Sequence, residues 1–104
     1  MFQALELAIQ LATDLGHALP TLRRHSKDLA GHAERAATSI ALNLSEGNGR
    51  QGRDRLHFFR IARGSANELH TALRLAFGLR HLPANPALLH SANRVCAILC
   101  RLAR

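Results

Sequence analysis

The sequence predicts an all-α protein, an antiparallel up-down-up-down bundle of four helices. Three observations predict it. The apolar share is mostly Leu and Ala, while Trp and Tyr are absent, so the residue types that favour strands are scarce. Apolar residues recur at helical spacing in four stretches. Proline and glycine punctuate the chain between them, at Pro20, at Gly47 to Gly52 and at Pro83. With 104 residues, 47% of them hydrophobic, the chain has room for one domain over residues 1–104 and enough apolar surface for one core.

The first helix is expected from Phe2 to Leu19. Phe2, Leu5, Ala8, Ile9, Ala12, Leu15 and Leu19 share a broad face that Leu7 and Leu11 widen, and Pro20 is expected to stop or bend the chain. The second starts near Ser26, an N-cap with Asp28 in the first turn, and carries Leu29, Ala33, Ala36, Ala37, Ile40 and Leu44 on one stripe. Gly47-Asn48-Gly49 ends it. The third runs from Gly52 or Asp54 to Arg80. Its apolar arc takes in Phe58, Phe59, Ala62, Ser65, Ala66, Leu69, Ala72, Leu73, Ala76 and Phe77, with Arg60, Arg63, Asn67, Thr71 and Arg74 opposite. Pro83 closes that segment. Asn85-Pro86 then reads as an N-cap followed by proline at the first helical position, opening a fourth helix to Leu102 with Leu88, Ala92, Val95, Cys96, Leu99 and Leu102 on its face.

Short connections make neighbouring helices antiparallel. The apolar arcs of the first, third and fourth helices are wider than one core-facing stripe requires. In so short a chain the second burying surface would be another subunit, so a homo-oligomer is expected. Loose Ala-rich packing in a monomer is the alternative.

Lys and Arg number 14 against 7 Asp and Glu, a formal charge of +7, and every one of the 14 except Lys27 is Arg. A small domain this basic attracts polyanions, RNA or DNA first among them, and Arg grips phosphate in a bidentate way. Arg50, Arg53, Arg55, Arg60 and Arg63 follow one another with a single acid, Asp54, among them; Arg74 extends the face of Arg60 and Arg63. These six are the candidate nucleic-acid-binding residues. Phe58 and Phe59 fall on the apolar arc and no stacking aromatic stands on the basic face, so the expected mode is non-specific backbone contact that weakens with salt. A merely solvated helix surface is the competing reading.

Other chemistries find little support. Gly47-Asn48-Gly49-Arg50-Gln51-Gly52 spells G-x-G-x-x-G, but a helix precedes it where a dinucleotide fold needs a strand. A loop between helices is the simpler reading, with phosphate held beside Arg50 and Arg53 as a minor one. Seven histidines contain neither H-E-x-x-H nor a Glu-x-x-His pair, so no metal and no cofactor is expected. Ser39, Ser45 and Ser65 lack a nucleophile elbow, and Glu46 and Glu68 are expected to pair with arginines instead of acting as paired acids. The chain is read as a non-enzyme. Glu6, Gln10 and Asp14 interrupt the N-terminal apolar run, no window approaches a membrane span, and Cys96 and Cys100 read as small core thiols, too poorly placed on one helix for a disulfide. A cytoplasmic protein is expected.

Two runs resemble a known family. Arg35-Ala36-Ala37-Thr38-Ser39-Ile40-Ala41-Leu42-Asn43-Leu44-Ser45-Glu46-Gly47 resembles the R-x-A-x-S-I-x-x-N-I-A-E-G signature of the four-helix-bundle family also called the rRNA-intervening-sequence protein family. Phe59-Arg60-Ile61-Ala62-Arg63-Gly64-Ser65-Ala66-Asn67-Glu68-Leu69 is similar to its F-L-x-I-A-x-G-S-x-x-E-L run. Ser45, Leu44 and Ala66 depart from the usual Ala, Ile and Leu, and the polar positions Asn43, Glu46 and Glu68 match. The resemblance implies a four-helix bundle assembling into a homopentamer. It also implies kinship with the basic pentameric accessory variability proteins of diversity-generating retroelements, which bind nucleic acid and a reverse transcriptase. The family label records gene location inside ribosomal RNA genes, not ribosome binding. Arg35, Ser39, Asn43, Glu46, Gly47, Gly64, Ser65 and Glu68 are read as packing or interface residues, with Asn43 half-buried and in need of a partner and Gly64-Ser65 allowing close helix approach. The sequence thus points to an oligomeric scaffold of unassigned role that contacts nucleic acid. The alternative is an adaptor docking an acidic protein such as a polymerase or reverse transcriptase.

Overall fold

The computed structural model describes residues 1–104 as four α-helices and no strand: α1 (Gln3–His25), α2 (Lys27–Asn48), α3 (Gly52–Gly78) and α4 (Pro86–Leu102). They form an elongated up-down-up-down bundle, 42 × 23 × 20 Å, in which each helix packs beside its sequence neighbour and α4 closes back onto α1. The core is almost wholly Leu and Ala. Leu11, Leu15, Leu22, Ile40, Leu44, Leu69, Leu73 and Leu99 are fully enclosed, and no polar or charged residue is buried with them. At roughly 1.5–3 kcal/mol for each large aliphatic side chain, this set supplies the drive to fold.

Both expected N-caps form. Ser26 Oγ accepts the Leu29 N–H at 3.1 Å and Asn85 Oδ1 accepts the Leu88 N–H at 3.2 Å, with Pro86 in the first turn of α4. Pro20 does not stop α1, which continues past the expected end at Leu19 to His25. Pro20 removes the hydrogen bond that would reach the Gly16 carbonyl, but both residues are exposed, so water can satisfy that oxygen. Leu19 before it and Leu22 after it are buried, and two such burials offset the ~3 kcal/mol cost of a helical proline.

The inter-helix turns also differ in detail. Gly47 lies inside α2 and is buried, and Gly49 caps the helix in a right-handed conformation (φ −84°), while Gly52, opening α3, takes the positive φ (+61°). α3 ends at Gly78, short of Arg80. Arg80 N–H bonds to Phe77 O and His81 N–H to Ala76 O, the paired bonds of a Schellman cap, with Arg80 itself left-handed at φ 60°.

The wide apolar arcs are used unevenly. On α4 the extra residues Leu89, Cys96, Ile98 and Leu102 are half-buried against the core, so that helix leaves no large apolar side chain bare. On α1, Leu11 takes the core position and Ile9 stays exposed. α3 exposes Ile61, Leu75 and Leu79, and α2, whose stripe looked narrow, exposes Leu42 at 65%. Cys100 is exposed on the far side of the helix and is not a core thiol; Cys96 is half-buried, and both are free.

Candidate nucleic-acid interface

α3 carries Arg60, Arg63 and Arg74 on one side, since about four turns of helix separate the first from the last. α4 lies beside that side. Arg60 Nε and Arg63 Nη1 each reach the Ala103 carbonyl at 3.4 Å, where they offset the negative end of α4's dipole. None of the three pairs with a carboxylate. Arg63 is half-buried, whereas Arg60 and Arg74 are exposed.

α4 carries further arginines, but not on that side: Arg101 borders a cleft with Phe2, Gln3 and Ala4 of α1, and Arg94 lies two turns before it on the same face. Arg94, Arg101 and Arg104 are exposed on or just after α4 and have no ion-pair partner. After Glu68 the chain contains no Asp or Glu at all. The α3 C-terminal half and the whole of α4 are therefore acid-free. That signal was present in the sequence, but its meaning depends on α4 packing beside the Arg60–Arg63–Arg74 side of α3.

The remaining candidates are placed differently. Arg50 is held between two acids, 2.6 Å from Glu46 and 3.0 Å from Asp54, and its guanidinium also lies over the Phe58 ring. Its hydrogen bond to Glu46, with the charge of Asp54, raises its pKa above the ordinary arginine value. This local triad fastens the α2–α3 turn and leaves Arg50 largely neutralised as a phosphate ligand. Arg55 is half-buried with its guanidinium 5.2 Å from the centre of the Phe59 ring. Arg53 is exposed near the start of α3 without an acid partner. The six arginines thus divide into a turn cluster, partly committed to structure, and a stripe on α3 in which Arg60 and Arg63 reach the α4 C-terminus and Arg74 makes no contact with an acid.

The signature residues gather along the α2–α3 seam. Ser39 Oγ and Ser65 Oγ are 2.7 Å apart, and Asn43 Nδ2 donates to Ser39 O at 2.8 Å and to Ser39 Oγ at 3.1 Å, which supplies the partner that a half-buried amide requires. Glu46 pairs with an arginine as expected. Glu68 does not: its partner is His32, whose Nδ1 lies 3.4 Å away while Nε2 lies 3.6 Å from Asp28. Arg35 folds its guanidinium over Gly31 and is exposed. Gly64 is a correction. A side chain built there would meet nothing within 4 Å, so no close helix approach within the chain requires it; Gly47 is the glycine against which a neighbouring helix presses. No three His, Cys, Asp or Glu side chains converge into a metal-sized cluster, and no helix is long and apolar enough to cross a membrane.

The chain was compared with known proteins. Among solved structures it is similar to the crystal structure of a protein with unknown function from the S23 ribosomal protein family of Bacteroides thetaiotaomicron. The two share 19% identity over 97% of this chain and 98% of that one, with a TM-score of 0.87, a likeness that shows the fold. A search of curated proteins found no match. The family model described as 23S rRNA-intervening sequence protein matches residues 2–101, and on that match, nearly the whole length of the bundle, the chain belongs to the 23S rRNA-intervening sequence protein family.

Proposed function

We propose that the protein is a non-catalytic, self-assembling helical scaffold whose α3–α4 surface grips the phosphate backbone of RNA or DNA. The observation that carries this reading is the row of Arg60, Arg63 and Arg74 on α3, none of them paired with a carboxylate, beside an α4 that holds no Asp or Glu. A surface of one sign attracts a polyanion at long range and holds it by counterion release. Exposed stacking aromatics are missing: Phe59 is buried and Phe2, Phe58 and Phe77 are half-buried. Binding is therefore independent of base sequence.

Self-assembly belongs to the same reading. Leu42, Ile61, Leu75 and Leu79 are exposed on α2 and α3, and Gly64 stands among them with open space where a side chain would be. A second copy covering them would give that glycine a purpose, and the family resemblance implies that such copies close into a ring of five. The free thiols Cys96 and Cys100 suit a reduced, cytoplasmic setting.

The test is fluorescence anisotropy with a labelled duplex of arbitrary sequence at low salt, comparing the wild type with the Arg60→Glu/Arg63→Glu/Arg74→Glu variant. Micromolar or tighter binding that the variant loses supports the reading. No binding at low salt refutes it. Co-purification of an acidic protein that survives nuclease treatment would instead favour an adaptor using the same face.

A further inference from the structure

We infer that the loop between α3 and α4 forms a binding site for a small amphipathic carboxylate, unconnected with the nucleic-acid reading. The largest concavity of the bundle, about 750 Å³, opens there, within the size range of small-ligand pockets. Its walls are apolar, from Phe77, Leu82, Pro83 and Leu89. Leu82 is buried and Phe77 and Leu89 are half-buried, so the wall is fixed to the core.

The side-chain polar groups left free at its rim are donors. Arg80 borders the cavity, and its guanidinium makes no hydrogen bond and no ion pair within the chain. Asn85 also borders it. Its Oδ1 is used by the Leu88 N–H, which leaves the Nδ2 amide without a partner. No carboxylate lines the cavity; the nearest cleft that holds one, Asp14, lies on the other side of the Leu82-Pro83 wall. An apolar body with one anionic head matches this arrangement: the body covers Phe77 and Leu89, and the carboxylate accepts from Arg80 and Asn85.

Arg80 occupies the left-handed position of the α3 cap, φ 60°. Glycine fills that position at lower conformational cost. Arg80 holds that position with nothing in the chain to bind its guanidinium.

The experiment is calorimetric titration of the intact protein with decanoate and with decanol, for the wild type, Arg80→Gly and Ala84→Trp, each checked by thermal melting. Arg80→Gly relaxes the backbone while removing the head-group ligand, so its melting temperature holds or rises as decanoate affinity falls about tenfold or more. Decanol, which keeps the apolar body, binds the wild type about tenfold more weakly than decanoate. Ala84→Trp, on the cavity wall, blocks both. The inference is overturned if the folded wild type binds no decanoate, if decanol binds as well, or if Arg80→Gly binds decanoate unchanged. It is also overturned if Ala84→Trp alters only the self-association of the protein, since a second copy would then be the occupant.

Discussion

The Phe59 ring of α3 presses on the backbone of Gly47 in α2: a Cβ at Gly47 would lie 2.6 Å from Phe59 Cε1 and 3.2 Å from Phe58 Cβ. Phe59 is itself buried, at 3% exposure, so the ring has little room to retreat. Gly47→Ala should therefore destabilise the fold by about 1–3 kcal/mol through overpacking, although alanine is the better helix former. Thermal or denaturant melting checks this, and a variant as stable as the wild type would mean that the α2–α3 contact is looser than described.

Gly64 should behave in the opposite sense. With nothing within 4 Å of its missing side chain, Gly64→Ala should stabilise the isolated bundle by about 0.5–1 kcal/mol. If a second copy packs there, the same substitution should weaken assembly. Melting together with sedimentation at several concentrations reads both effects.

These two glycines mark how far the sequence was legible. The four helices, the caps at Ser26 and Asn85 and most of the core followed from periodicity and end signals, because each is local. Which glycine meets a neighbouring helix is set by the pairing of Ser39 with Ser65 and of Gly47 with Phe59, a relation between helices that no local pattern encodes. The sequence sets the end of α1 too early, at Leu19, for a related reason: a proline breaks a helix on propensity alone, and the burial of Leu22 beyond it carries the helix through. The basic surface was half visible. The α3 arginines stand out as a run, whereas the approach of Arg60 and Arg63 to the Ala103 carbonyl depends on how α4 packs and has no local signal.

Pro20 yields its own expectation. Pro20→Ala restores a donor to the exposed Gly16 carbonyl and relieves the ring clash, so the protein should gain about 1–3 kcal/mol, reduced by the freedom returned to the unfolded chain. A loss of stability on denaturant melting would show that α1 needs the proline's geometry.

The two thiols should separate in reactivity. Cys96 is half-buried with its Sγ 3.4 Å from Ala66 O, and burial pushes its pKa up, whereas Cys100 is exposed. Alkylation at mildly alkaline pH should label Cys100 well before Cys96, as peptide mass spectrometry would read. The raised Cys96 pKa also has a sign for stability. The folded state holds that proton more tightly, so the contribution is intact below the unfolded thiol's pKa and is lost as pH rises through it toward the folded value. Cys96→Ala should flatten the alkaline decline in denaturation midpoint, and an identical decline in both proteins would exclude this group as its source.

Phosphate contact by the acid-free α3–α4 surface is tested most directly by the salt dependence of duplex binding. Each phosphate neutralised contributes about −0.9 to the slope of log K against log salt on B-form DNA. Anisotropy titrations at several salt concentrations should give a steep negative slope for the wild type that becomes shallower by about one unit for Arg74→Gln, independently of the duplex sequence. A slope near zero, or one that Arg74→Gln leaves unchanged, would contradict the account.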